Sequence, residues 1–163
     1  MARVYVSIGS NIERDKHIRA ALDALRARFG ALTVSTVYQT SSVGFEGADF
    51  YNLVASFESA GAVHEVSTAL HAIEAAHGRL RTGGKFASRT LDIDLLLYDD
   101  LIIDEPGLQL PRGEITRYAF VLGPLAEIAG NLRHPVLGRT FAELWSEFAA
   151  DKTDLRPVQL AQG

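Results

Sequence analysis

The sequence predicts an α+β fold: an antiparallel sheet in the order β-α-β-β-α-β with helices on one face, plus a C-terminal extra strand and helices. Three observations carry this. Short stretches alternate apolar and polar residues, two longer stretches repeat apolar residues every three or four positions, and Gly- and Ser-rich turns punctuate them. Arg3 to Ile8 alternates, with Val4, Val6 and Ile8 on one side, and reads as a half-buried strand running into a Gly9-Ser10-Asn11 turn. Lys16 to Phe29 reads as a helix, because Ile18, Ala21, Leu22, Leu25 and Phe29 form one stripe and Gly30 stops it. Leu32 to Tyr38, rich in Val and Thr, is the second strand, and Gln39 to Asp49 is a loop. Leu53 to Phe57 is the third strand. Val63, Val66, Leu70 and Ile73 mark a second helix ending near Gly78, and Arg79 to Ser88 is a basic, glycine-bearing loop. Asp92 to Tyr98 is the fourth strand, turned by Asp99-Asp100 towards Leu101-Ile102-Ile103. Tyr118 to Ile128 and Phe141 to Phe148 read as helices, with Trp145 in an apolar face, and a loose tail is expected over 151–163.

This is the split-βαβ, or ferredoxin-like, order. No repeat, low-complexity tract or linker divides the chain, so one domain over 1–163 is expected. The apolar fraction of 47% and charged fraction of 22% are those of an ordinary soluble globule. A net charge of −4 argues against general nucleic-acid binding, which demands excess Lys and Arg. The chain has no cysteine, hence no disulfide frame, thiolate metal site or thiol nucleophile. No stretch has the length of a membrane span, and the N-terminus lacks a signal-peptide pattern. A cytoplasmic monomer with no membrane and no nucleic-acid partner is the expectation.

The richest stretch chemically is Arg89-Thr90-Leu91-Asp92-Ile93-Asp94. A period of two puts both aspartates on one face of a strand. Side-by-side carboxylates suit Mg²⁺, which takes one or two of them together with waters and substrate phosphates. Alone, such a pair is more often a solvated strand end. What accompanies it is a cationic loop: Arg79, Arg81, Lys85 and Arg89 fall within eleven positions. Arginine forks match phosphate oxygens. Neither a Walker loop nor a Rossmann turn is present, so any nucleotide is held another way. Phe50-Tyr51-Asn52 could bind a flat heterocycle, the ring stacking while the amide reads its edge. Glu74 and His77, one turn apart, could bind metal or hold an arginine. No serine-hydrolase elbow appears.

Taken together, these residues resemble the 6-hydroxymethyl-7,8-dihydropterin pyrophosphokinase family. The resemblance spans about Tyr5 to Ile128 and is most specific over Lys85 to Leu96, with further matches at Ser7 to Asn11 and at Phe120 to Leu125. It implies transfer of the terminal diphosphate of ATP to a pterin hydroxymethyl group in folate biosynthesis, releasing AMP. By the same resemblance Asp92 and Asp94 hold two Mg²⁺ ions, and Arg81 and Arg89 are, with the aspartates, the catalytic residues. Glu74, Arg79, Arg81, Arg89, Arg112 and Thr116 bind ATP. Thr40, Ser41, Val43 and Asn52 read the pterin edge, while Phe50 and Phe120 sandwich its ring. The loops at 44–49 and 79–88 are expected to close on substrates, with Phe86 where a tryptophan is frequent.

The chain departs from the family pattern after Pro111. Arg112 stands where many members carry a phosphate-contacting histidine, and Tyr118 where they carry an arginine, with Arg117 one residue earlier. Three other readings stand beside the first. One is a paralogue acting on another pterin alcohol, another a pterin- or nucleotide-binding protein without turnover. The last is an RNA-binding module, which the acidic balance disfavours.

Overall fold

The computed structural model describes residues 1–41, 49–77, 91–148 and 155–160. In chain order they form β1 (Ala2–Ser10), α1 (Arg14–Phe29), β2 (Thr33–Val34), β3 (Val37–Thr40), β4 (Phe50–Ser59) and α2 (Val63–Ala76). There follow β5 (Asp92–Tyr98), the hairpin strands β6 (Ile103–Glu105) and β7 (Leu108–Leu110), a 3₁₀ turn at Gly113–Thr116, α3 (Ala119–Ala129), α4 (Phe141–Glu147) and β8 (Arg156–Val158).

The main sheet runs β5-β1-β4-β3-β8, with β2 also paired to β4. The pairings of β1 with β4 and β5, of β3 with β4, and of β3 with β8 are antiparallel. Leaving aside β2 and β8, this is the expected ferredoxin-like arrangement. Val4, Val6, Ile8, Leu53, Ala55, Phe57, Ile93 and Leu95 meet Ile18, Ala21 and Leu25 of α1 and Val66 and Leu70 of α2 in one buried cluster. Val54 and Leu97 join Ile115 with Val121, Leu122 and Leu125 of α3 and Phe141 of α4 in a second. The first two helices thus share one face, as expected, while the C-terminal helices cover the other. A register shift between Tyr5 and Val6, which face Leu97 and Leu95, leaves Leu96 as an extra residue. This bulge sends Leu96 and Leu97 into the second cluster while Ile93 and Leu95 serve the first.

Three elements differ from the sequence expectation. The strand β1 runs on through Gly9 and Ser10, where a turn was expected. The expected strand Leu32 to Tyr38 is split, because side chains take over its ladder at Ser35 and Thr36. Ser35 Oγ accepts the Val54 N–H at 2.9 Å, and Glu127 accepts both the Thr36 N–H at 2.7 Å and its hydroxyl at 2.8 Å. Finally, part of the expected loose tail is edge strand β8, paired Val37↔Val158 and Gln39↔Arg156. Pro157 fits there because an edge strand tolerates a residue without an N–H. Among the described residues no helix is long and apolar enough to cross a membrane.

Candidate active site

The site residues gather where β1 ends and β4 and β5 begin. Gly9 pairs with Asp92 on one side and Asn52 on the other, and Asn52 pairs with Tyr38. Residues in register share a face, so Asp92, Asn52 and, two residues along, Asp94 project towards the α3 side of the sheet. Two strand spacings, about 10 Å, separate the Asp92 backbone from that of Asn52. Between them Gly9 offers no side chain. A Cβ there would stand 2.8 Å from Asn52 Oδ1 and 3.7 Å from the Phe50 ring. The glycine read in the sequence as a turn residue is therefore a side-chain-free floor between Asp92 and Asn52, visible only once the register is known.

The acidic half lies on the open edge of the sheet. The Asp94 carboxylate is 3.5 Å from an Arg112 guanidinium nitrogen, and Glu114 holds the same guanidinium through its Nε. Burial works against the Arg112 charge, but Asp94, Glu114 and Asp92 more than offset it and raise its pKa. The arginine is brought there by β7 and the 3₁₀ turn, and its N–H bonds the Leu96 carbonyl on the β5 edge at 3.1 Å. Glu74, 3% exposed, accepts the Ile93 N–H at 2.8 Å and so satisfies the same edge from α2. His77, one turn on from Glu74, bonds the Ile73 carbonyl through Nδ1 at 2.8 Å. Among the described residues no group of three or more His, Cys, Asp or Glu forms a metal cage. The donor set here is two neighbouring carboxylates, of which Asp94 keeps 32% of its side chain exposed. It fits a hard cation that also takes waters and phosphate oxygens. Thr116 is exposed at the end of the 3₁₀ turn.

The neutral half is closed. Asn52 Nδ2 donates to Thr40 Oγ1 at 2.7 Å, and the two residues are 9% and 2% exposed. One amide bond is thus fixed, which orients the remaining amide polar groups. Ser41 is exposed at the end of β3, and Phe50, paired with Thr40, starts β4 half-buried. Phe120, in the first turn of α3 above the same face, stacks on Tyr118 with centroids 5.0 Å apart. Tyr118 therefore buttresses the Phe120 ring. Arg117 is exposed. Val43, Arg79, Arg81, Lys85, Phe86 and Arg89, together with most of the two loops expected to close, lie outside the described residues.

Comparison with known proteins gives the family of the chain. The statistical model of the family described as 7,8-dihydro-6-hydroxymethylpterin-pyrophosphokinase (HPPK) matches residues 5–130. The chain belongs to this family. It is 39% identical over 146 residues to the 2-amino-4-hydroxy-6-hydroxymethyldihydropteridine pyrophosphokinase of Pseudomonas aeruginosa, covering 87% of this chain and 89% of that one. The like-named protein of Aquifex aeolicus is 32% identical over 149 residues, covering 90% and 92%. Among solved structures, the HPPK-DHPS of Plasmodium falciparum superposes with a TM-score of 0.71 over 91% of this chain at 13% identity. At that identity the likeness concerns the fold, and this chain spans 44% of that one.

Proposed function

We propose that the acidic edge and the Asn52 recess are the two halves of a pyrophosphokinase site. The family places the chain among enzymes that transfer a pyrophosphoryl group to a hydroxymethyldihydropterin, a step of folate biosynthesis, with ATP as co-substrate. The observation that carries the site assignment is the row Asp92, Gly9, Asn52 on one sheet face. It sets a charged surface and a hydrogen-bonding recess about two strand spacings apart across a side-chain-free floor.

In this reading Thr40, Ser41, Val43 and Asn52 read the pterin edge, with Phe50 and Phe120 on its faces. A flat ring so held presents its hydroxymethyl group towards β5. That hydroxyl oxygen attacks the β-phosphorus of ATP, its proton passes to solvent, the bond from this phosphorus to the oxygen on the α-phosphorus breaks, and AMP leaves with that oxygen. Asp92 and Asp94 would hold two Mg²⁺ ions, which when bound neutralise phosphate charge and polarise the attacking hydroxyl. Arg79, Arg81 and Arg89 clamp phosphates, and Arg112 adds a fixed positive charge beside Asp94. Glu74 and Thr116 complete the nucleotide side, Glu74 by fixing β5 through the Ile93 N–H. Positioning and charge account for most of the rate in such a transfer.

The test is release of AMP from ATP and Mg²⁺ in the presence of 6-hydroxymethyl-7,8-dihydropterin. Product above background is expected. Binding of both substrates without product would sink the catalytic reading. The Arg112 and Tyr118 replacements favour one second reading, a related pterin alcohol as substrate; a higher kcat/KM with such an alcohol would establish it.

A further inference from the structure

We propose that the C-terminal strand β8 positions the pterin half-site, with Arg156 acting through Asp49 as its positioning residue. The inference rests on the pyrophosphokinase reading of that half-site. Three ties converge on Asp49, the residue immediately before Phe50. Its carboxylate accepts from Arg156 at 2.8 Å and from Gln39 Nε2 at 3.1 Å, and its carbonyl accepts from Arg14 at 3.0 Å. The Arg14 guanidinium also lies 4.2 Å over the Tyr51 ring. A single exposed ion pair contributes little on its own. Here, however, α1, β3 and β8 each tie to one residue at the head of the strand that carries Phe50 and Asn52. The hydrogen bonds from Gln39 and Arg156 lower the Asp49 pKa, so the tie is ionised at neutral pH.

The tail reaches the other ring-covering element too. Alternation along it sends Val158 and Leu160 to the first core cluster, with Arg156 on the same side. Leu155 points the opposite way, onto α3, where its Cδ1 lies 2.8 Å from where a Gly123 Cβ would be, beside the Trp145 ring at 3.0 Å. Gly123 stands three residues, about one helical turn, after Phe120. One short segment therefore touches both the strand that bears Phe50 and the helix that bears Phe120. The Arg156 contact is not core packing, since Arg156 keeps 51% of its side chain exposed.

The test uses the full chain. Wild-type AMP release and pterin binding, the latter by fluorescence titration, are measured first; their absence overturns the underlying reading and this one with it. With wild type active, Arg156→Ala and Asp49→Asn are each expected to raise the KM and Kd for the pterin roughly three- to tenfold, at unchanged KM for ATP and near-unchanged Tm. The double variant is expected to be no worse than either single one, as a shared interaction requires. A pterin KM at the wild-type value in both single variants overturns the proposal while leaving the pyrophosphokinase reading intact. So does an equal rise in both KM values, or additive losses. Should Arg156→Ala fold poorly, Asp49→Asn, nearly isosteric, decides alone.

Discussion

The two halves of the site are held by different physics. On one side, Asn52 and Thr40 are neutral, buried and bonded to each other at 2.7 Å. Neighbouring strands build that half, so its geometry follows from register. Around Asp94 the groups are charged and a third exposed, and the countercharge on Arg112 comes from a separate hairpin and turn. A preorganised neutral recess selects a substrate by shape and hydrogen bonds, whereas an open charged edge gathers ions and phosphates and can exchange partners. The contrast gives each half its own signature under mutation.

The largest effect is expected on the charged side. Asp94→Ala removes a proposed metal ligand from a strand end without touching the core, so turnover should fall on the order of a thousandfold, about 4 kcal/mol of transition-state stabilisation. Thermal unfolding and pterin binding should stay near wild type. Normal turnover in that variant would remove the metal assignment and with it the contrast between the halves. Next comes the floor. In Gly9→Ala the new Cβ meets Asn52 Oδ1 at 2.8 Å, and the Asn52 amide is held by its bond to Thr40. We expect pterin affinity to fall at least tenfold and stability by about 1–3 kcal/mol, as overpacking does. A variant that bound pterin normally would show that Asn52 is free to move and the recess is not preorganised. Third, Arg112→Ala should lower kcat/KM for ATP about tenfold, near 1.4 kcal/mol, with the pterin KM unchanged. No kinetic change would mean that this arginine does not stand in for the histidine usual in the family.

The sequence showed more of the charged half than of the neutral one. Two aspartates at i, i+2 before an apolar run state their shared face through strand period alone, and β5 begins and ends where the pattern places it. Gly9 is different. Its role depends on Asn52 lying opposite in an antiparallel pair, a contact between residues far apart in the chain that no local pattern encodes. The same holds for Arg112, whose partner Glu114 is visible nearby but whose approach to Asp94 requires the hairpin to fold back. The split of the second strand was hidden because Ser35 and Thr36 look like ordinary β residues until Val54 and Glu127 supply the competing hydrogen bonds. The short strand at the C-terminus was missed because its alternation, Arg156, Val158 and Leu160, is brief and includes a charge.

The smallest effect concerns the wall behind Arg112, a groove of about 400 Å³ lined by Pro111, Arg112, Thr116, His134, Val136 and Leu137. His134 is 7% exposed, and its Nδ1 accepts the N–H groups of Val136 at 3.2 Å and Leu137 at 3.1 Å. Burial lowers its pKa from the ordinary 6.5, and a proton on Nδ1 would also break both bonds. The unfolded chain therefore takes up this proton before the folded one, so the stability contributed by the neutral ring is whole above about pH 6.5 and is lost as pH falls below it. The carboxylates act lower. Burial opposes the Glu127 charge, but its bonds from Tyr38 and Thr36 hold its pKa under 4.5, and Gln39 and Arg156 hold that of Asp49 under 3.8. Their contributions too are lost as pH falls, but below those values. A pH series of Tm should thus decline in two stages. His134→Asn, whose carbonyl oxygen can accept the same two N–H groups without titrating, should remove the upper stage and spare the lower. If the upper stage survives in that variant, another group carries it, and the wall that supports the charged half is not the one sensitive to mild acid.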